Sequence, residues 1–112
     1  MSMPVATIDK VKALTKDFGS QRKLADALDV SPAQVSRWIR GQGIDPENAE
    51  RVDTLDLVMA NLARVYEPDI ATEWLYGMNP HLRDRQPIYF IRQGRAEEVL
   101  AAIRATRALS YA

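Results

Sequence analysis

The segment from residue 21 to residue 40 reads QRKLADALDVSPAQVSRWIR, in which two helical patterns are separated by a short turn. The first pattern contains Ala25, a small residue that lets a second helix cross closely. Asp29 ends this first helical pattern, because aspartate tolerates turn geometry. Ser31 then caps the second pattern, and Pro32 takes its first helical position. Two helices of about eight residues joined by about three to four residues are set at a steep angle, which predicts a helix-turn-helix.

The second helix of this pair is predicted to lie on the first through Val35 and Trp38, which leaves its other face open. Side chains on an open face can read bases, since glutamine pairs with adenine and arginine with guanine. Backbone N–H groups at the start of the first helix attract phosphate. The predicted DNA-binding residues are Ser20, Gln21, Arg22, Ala33, Gln34, Ser36, Arg37 and Arg40. The alternative is a purely structural pair, since such helices also occur in proteins that do not bind DNA.

Helical patterns also flank the pair on both sides. We expect a first helix capped by Thr7 and a long helix over residues 46–66, followed by shorter helices that begin at prolines. The last helix is expected over residues 95–109. No stretch alternates long enough to indicate a strand. The chain is therefore predicted to be all-α, with a helix-turn-helix bundle over residues 1–66, ending in the long connecting helix, and a small helical domain over residues 67–112.

Composition limits the classes of function that are open to this chain. Its 112 residues are 46% hydrophobic, which is enough for a core. Because it has 0 cysteines, disulfides, thiolate metal sites and cysteine nucleophiles are excluded. His81 is its only histidine, which argues against a catalytic triad or a His-rich zinc site. We therefore predict no enzymatic activity, no cofactor, no metal and no small-molecule substrate.

Charge is balanced over the whole chain but not along it. The 15 basic and 15 acidic residues cancel, which excludes a generally polycationic nucleic-acid binder and still permits a local basic surface. Residues 1–45 carry seven basic and five acidic side chains, whereas residues 46–112 carry eight and ten. No apolar run approaches the ~18 residues of a membrane span, and the first residues do not form a secretory signal. A cytoplasmic location without a membrane partner is expected.

Residues 7–66 resemble the Xre/Cro-like family of helix-turn-helix repressors. The resemblance rests on the Ser-Gln start at Ser20, the small Ala25 and the Val-Ser-Arg-Trp run before Gly41. Asp29 departs from the pattern, because many members of that family have glycine there. The resemblance implies DNA binding by a homodimer at an inverted repeat in the operator, with half-sites about 34 Å apart.

The C-terminal third carries a second distinctive pattern. A helix containing Trp74 is followed by an Asn-Pro turn at Asn79, then by Leu82, a helix started by Pro87, and Gly94 before the last helix. This order resembles the toxin-binding domain of the MbcA/ParS/Xre antitoxins. The resemblance implies a RES-domain toxin as partner, an enzyme that degrades NAD or transfers ADP-ribose. It also implies that this protein neutralises the toxin and represses their shared operon.

In that antitoxin family the last residues reach into the NAD pocket of the toxin. Here Tyr111 supplies aromatic area and a hydroxyl, and the terminal carboxylate of Ala112 can meet cationic groups. Arg104 and Arg107 can contact carboxylates of the toxin. The predicted toxin-binding residues are Arg104, Arg107, Ala108, Leu109, Ser110, Tyr111 and Ala112. The alternative is a frayed terminus without a role.

A stand-alone Xre-type repressor, whose C-terminal part only dimerises, is the alternative to the antitoxin. It predicts operator binding with no enzyme partner, and a RES-type reading frame beside the gene would separate the two hypotheses.

Trp38 and Trp74 are predicted to be core anchors, and His81 an exposed residue. Arg83 and Arg85 are predicted to form solvated surface, with toxin contact as their alternative role.

Overall fold

Seven α-helices and one short 3₁₀ turn make up the computed structural model, which describes residues 6–110. The helices are α1 (Thr7–Phe18), α2 (Gln21–Leu28), α3 (Pro32–Ile39), α4 (Pro46–Leu62), α5 (Pro68–Tyr76), α6 (Pro87–Arg92) and α7 (Ala96–Ser110). The 3₁₀ turn (Pro80–Leu82) lies between α5 and α6. No strand forms within residues 6–110, so the all-α prediction is confirmed.

Helices α2, α3 and α4 each begin after a capping residue that the sequence provides. The Ser31 side chain accepts a hydrogen bond from the backbone N–H of Gln34 (3.2 Å) at the start of α3. Asp45 does the same for the N–H of Asn48 (3.2 Å) at the start of α4. A proline lies in the first turn of each of α3, α4, α5 and α6, where its missing N–H removes no helical hydrogen bond.

Two predicted helix boundaries are wrong. Thr7 does not cap α1: it is the first helical residue, and the residue before it takes the N-cap position without a side-chain hydrogen bond. α4 ends at Leu62 rather than at residue 66. The backbone N–H of Val65 donates to the Leu62 carbonyl (2.9 Å), which tightens the chain into a turn. Pro68 then requires an extended residue before it, so the helix cannot continue into α5.

One cluster of buried apolar side chains runs through the described residues. It includes Leu24 and Val35 from the helix-turn-helix, and Leu75 and Ile91 from the C-terminal helices. α4 joins the two groups, because it packs both against the earlier helices α1 and α2 and against the later helices α5, α6 and α7. The residues before and after the turn from α4 to α5 therefore share a core.

A polar cluster links the C-terminal helices to the end of α2. The Arg92 guanidinium of α6 donates to the backbone carbonyls of Asp26 (2.7 Å) and Ala27 (3.3 Å). The Tyr76 hydroxyl of α5 donates to the Asp26 carboxylate (2.9 Å). The last carbonyls of a helix lack intrahelical partners, and a cation there also matches the helix dipole. α5 and α6 thus fix the end of the first helix of the helix-turn-helix.

Tyr76 is expected to make stability depend on pH in the alkaline range. Burial, followed by the hydrogen bond to Asp26, raises the pKa of Tyr76 from 10.0 to about 12. A raised pKa in the folded state means that its stabilising contribution is complete below pH 10.0 and is lost as the pH rises toward 12. Urea unfolding of the wild-type chain and of Tyr76→Phe across this range measures the effect. The difference between the two chains should shrink with rising pH, and a constant difference would contradict the assignment.

Candidate functional site

The turn between α2 and α3 sets the geometry of the helix pair. Asp29 adopts the left-handed conformation (φ 58°), and the backbone N–H of Val30 returns to the Ala25 carbonyl (3.0 Å). Aspartate can hold this conformation, so it replaces glycine at the turn. Val35 and Trp38 are buried, as predicted for the residues that seat α3 on α2. The opposite face of α3 is therefore available to a ligand.

The predicted base-reading residues divide into two groups by exposure. Ala33, Arg37 and Arg40 are exposed, whereas Gln34 and Ser36 are half-buried. Within the part of the chain that the structure describes, neither arginine forms an ion pair with a carboxylate. No carboxylate of the described residues therefore competes with DNA for the N–H donors of these two guanidinium groups.

Gln34 has a structural role that the sequence analysis missed. Its side-chain carbonyl accepts a hydrogen bond from the backbone N–H of Ser31 (3.3 Å), while the Ser31 hydroxyl accepts one from the Gln34 N–H (3.2 Å). This reciprocal pair is a capping box, and the Ser-x-x-Gln spacing could have revealed it. A paired contact with adenine must therefore use the second lone pair of the carbonyl or break the capping box.

The start of α2 contributes more positive charge than predicted. Ser20 caps the helix by accepting from the backbone N–H of Lys23 (3.1 Å), and Gln21, Arg22 and Lys23 are all exposed. Lys23 was not among the predicted DNA-binding residues. Its position one residue after Arg22 could have revealed it, because both lie in the first turn of a helix whose free N–H groups favour an anion.

The end of α7 is more exposed than its start. Arg104, Ala108 and Leu109 are exposed, with Leu109 at 67%, and Arg107 is half-buried. The last turns of α7 therefore present apolar area and positive charge at the surface. α7 extends to Ser110, and the predicted toxin contacts of Tyr111 and Ala112 lie outside the described residues.

Within residues 6–110, no group of three or more histidine and acidic side chains is arranged to hold a metal ion. None of the helices in this range combines the length and the apolar character that crossing a bilayer requires.

Comparisons with known proteins agree with this arrangement. Residues 19–54 match the Helix-turn-helix family HTH_3. The mycobacterial cidal antitoxin MbcA of Mycobacterium bovis and that of Mycobacterium tuberculosis are each 36% identical to the chain over 82 residues, which cover 72% of this chain and 73% of theirs. A chain in the crystal structure of the M. tuberculosis MbcT-MbcA toxin-antitoxin complex superposes with a TM-score of 0.74 and 31% identity, covering 92% of this chain and 94% of that one. The chain therefore belongs to the MbcA antitoxin family.

Proposed function

We propose that this protein is an antitoxin that binds and neutralises a toxin in the cytoplasm and represses the operon encoding both. The observation that carries the proposal is the similarity to a chain of the MbcT-MbcA complex over 92% of the present chain. That similarity extends beyond the helix-turn-helix into the C-terminal helices, a region that a minimal DNA-binding domain does not need. The partner is proposed to be a RES-domain enzyme that consumes NAD or transfers ADP-ribose.

The toxin-binding surface is proposed to lie at the end of the chain, within residues 67–112. Exposed Arg104 and Leu109 support this, because they offer charge and apolar area at the last turns of α7. Tyr111 and the terminal carboxylate of Ala112 are proposed to enter the NAD pocket of the toxin. An aromatic ring can fill such a pocket, and a carboxylate can meet the cations that otherwise hold pyrophosphate.

DNA recognition is proposed to reside in residues 1–66. The exposed face of α3 and the basic first turn of α2 support it, since the first offers base-reading side chains and the second offers phosphate contacts. We propose that two copies bind an inverted repeat, with one α3 in each half-site about 34 Å apart. The whole chain has a formal net charge of +0, so binding without the toxin is expected to be weak.

The first experiment compares the full chain with a chain that ends at Arg107. Each is mixed with the purified RES-domain product of the adjacent reading frame, and both complex formation and NAD consumption are measured. The full chain is expected to bind and inhibit. The shortened chain is expected to lose most of the inhibition, because it lacks the residues proposed to occupy the pocket.

Each outcome of this comparison has a definite meaning. Retained binding without inhibition supports placement of the tail in the NAD pocket. Equal inhibition by both chains contradicts that placement but leaves the antitoxin function intact. If neither chain binds the enzyme while operator DNA is still bound, the protein is a stand-alone repressor.

A further inference from the structure

A cavity of about 570 Å³ lies among the 3₁₀ turn, α6 and α7, and no residue of α3 lines it. Three arginines line it: Arg83, Arg85 and Arg95. We call it the arginine pocket. The only carboxylate among its lining residues, counted over the described part of the chain, is that of Glu98. The cavity therefore carries an excess of positive charge within an acidic half of the protein.

The loop that presents Arg83 and Arg85 is held firmly in place. Its two ends are bridged, since the backbone N–H of Asn79 donates to the Arg85 carbonyl (3.1 Å) and that of Asp84 donates to the Asn79 carbonyl (2.9 Å). The Asn79 side chain is buried and accepts from the backbone N–H of His81 (2.9 Å). Arg83 and Asp84 both have left-handed backbones, with φ of 57° and 61°. Residues other than glycine rarely hold this conformation, and where they do, the position is often functional.

Two of the guanidinium groups are oriented by aromatic rings. The Arg85 guanidinium lies 5.0 Å from the centre of the Tyr89 ring, and that of Arg95 lies 4.8 Å from the centre of the Phe90 ring. The two rings pack edge to face at 5.3 Å. Arg95 is also paired with Glu98 (2.8 Å), whereas Arg83 and Arg85 form no ion pair with any carboxylate in residues 6–110. A pre-oriented, unpaired guanidinium is suited to bidentate binding of an oxyanion.

The arginine pocket reaches α7 at Glu98 and Ala101. Ala101 lines the cavity, and Arg104 and Ala108 are the next exposed positions along the same face of that helix. A ligand that contacts Arg104 and Leu109 can therefore extend along α7 into the pocket. This favours a macromolecule over a small anion, because the surface is far longer than a single charged group.

We propose that the arginine pocket receives a carboxylate-bearing segment of the partner toxin, so that the toxin contacts the antitoxin at a second place besides its tail. This inference rests on the proposed function. A protein segment fits better than a DNA backbone. Exposed Asp84 and Glu97 next to the pocket repel a continuous row of phosphates, while individual carboxylates can be placed between them.

The test uses the full chain and the purified RES-domain product of the adjacent gene. Arg85→Glu is expected to weaken the complex by about tenfold or more, because the new carboxylate then faces the carboxylate of the toxin. The effect should be largest at low salt, where this repulsion is least screened. Arg64→Glu is the matched control, since Arg64 is an exposed arginine in the turn after α4 and undergoes the same change of charge. Its effect is expected to be less than about threefold.

A second variant separates docking from folding. Arg83→Gly relieves a left-handed backbone, so the melting temperature is expected to stay the same or rise. The same change removes a guanidinium from the rim, so the affinity for the toxin is expected to fall. A fall in affinity without a fall in melting temperature cannot come from partial unfolding.

Three results would overturn the proposal. Equal affinities of the Arg85→Glu and Arg64→Glu chains for the toxin would remove the pocket from the interface. If Arg85→Glu lowers the affinity for operator DNA and leaves the affinity for the toxin unchanged, the pocket binds DNA phosphate instead of the toxin. Failure of the wild-type chain to bind the toxin would overturn the proposed function itself, and the docking proposal with it.

Discussion

Replacing Leu55 by alanine is expected to lower the free energy of unfolding by about 2–5 kcal/mol. Leu55 is fully buried in α4, the helix that packs against both the helix-turn-helix and the C-terminal helices. The loss combines the transfer energy of the deleted methyl groups with the cavity left behind. Since domains of this size are stable by about 5–15 kcal/mol, the change removes a large fraction of the total. Urea unfolding at fixed protein concentration measures it.

The same experiment tests whether the two parts of the chain unfold together. The chain has 2 tryptophans, Trp38 in the helix-turn-helix and Trp74 in α5, so Trp38→Phe and Trp74→Phe each leave one fluorescent reporter. Because the core is continuous, both reporters should follow one transition, and Leu55→Ala should shift both. Leu57→Ala is the control, because Leu57 is 46% exposed on the same helix. This change should lower the free energy of unfolding by no more than about 0.5 kcal/mol. Separate transitions would show that the segments are independent domains.

Local features of the fold could be predicted from the sequence because neighbouring residues determine them. Ser20 and Ser31 cap the helices that were expected to follow them, and Gly19 and Asp29 take the left-handed positions at the ends of α1 and α2. The burial of Trp38 followed from helical spacing alone. Each of these depends on residues within a few positions along the chain, where propensity and capping rules apply.

Contacts between distant residues could not be predicted in this way. Asp26 meets Tyr76 and Arg92 across fifty or more positions of sequence. Nothing in a local pattern indicates which carbonyl an arginine will cap. The same holds for the arginine pocket, because Arg85 and Arg95 lie on opposite sides of α6 in the sequence and line one cavity only in the folded chain. Arg83 and Arg85 were predicted to be solvated surface, and both are exposed, but their arrangement became visible only in three dimensions.

The two candidate surfaces also differ in how far the sequence could define them. For the face of α3, helical spacing separated the anchors Val35 and Trp38 from exposed Arg37 and Arg40, so the residues themselves carried the prediction. For the end of the chain, the residues alone indicated only an aromatic tail, and its proposed role came from the resemblance to antitoxins. The mixed role of Gln34 shows the limit of spacing, because a polar side chain on an open face can equally serve the helix that bears it.

Replacing Arg37 by alanine is expected to weaken operator binding by about 1–3 kcal/mol and to relax the preference for one base pair. Arg37 is exposed on α3, and its guanidinium can donate to both acceptors of guanine in the major groove. Binding is measured on DNA from the promoter of the protein's own operon and on copies with single base-pair changes. Arg64→Ala is the control, because it removes the same charge from the turn after α4 instead of from α3.

Salt dependence separates the two ways in which Arg37 can act. A base contact changes the ranking of the altered sites, whereas a phosphate contact lowers affinity equally for all of them and reduces the salt slope by about one. An Arg37→Ala chain that ranks the sites as the wild type does, with a shallower salt slope, would assign Arg37 to the phosphate backbone. If Arg37→Ala and Arg64→Ala behave alike in every titration, α3 is not the reading helix, because the loss would then reflect net charge alone.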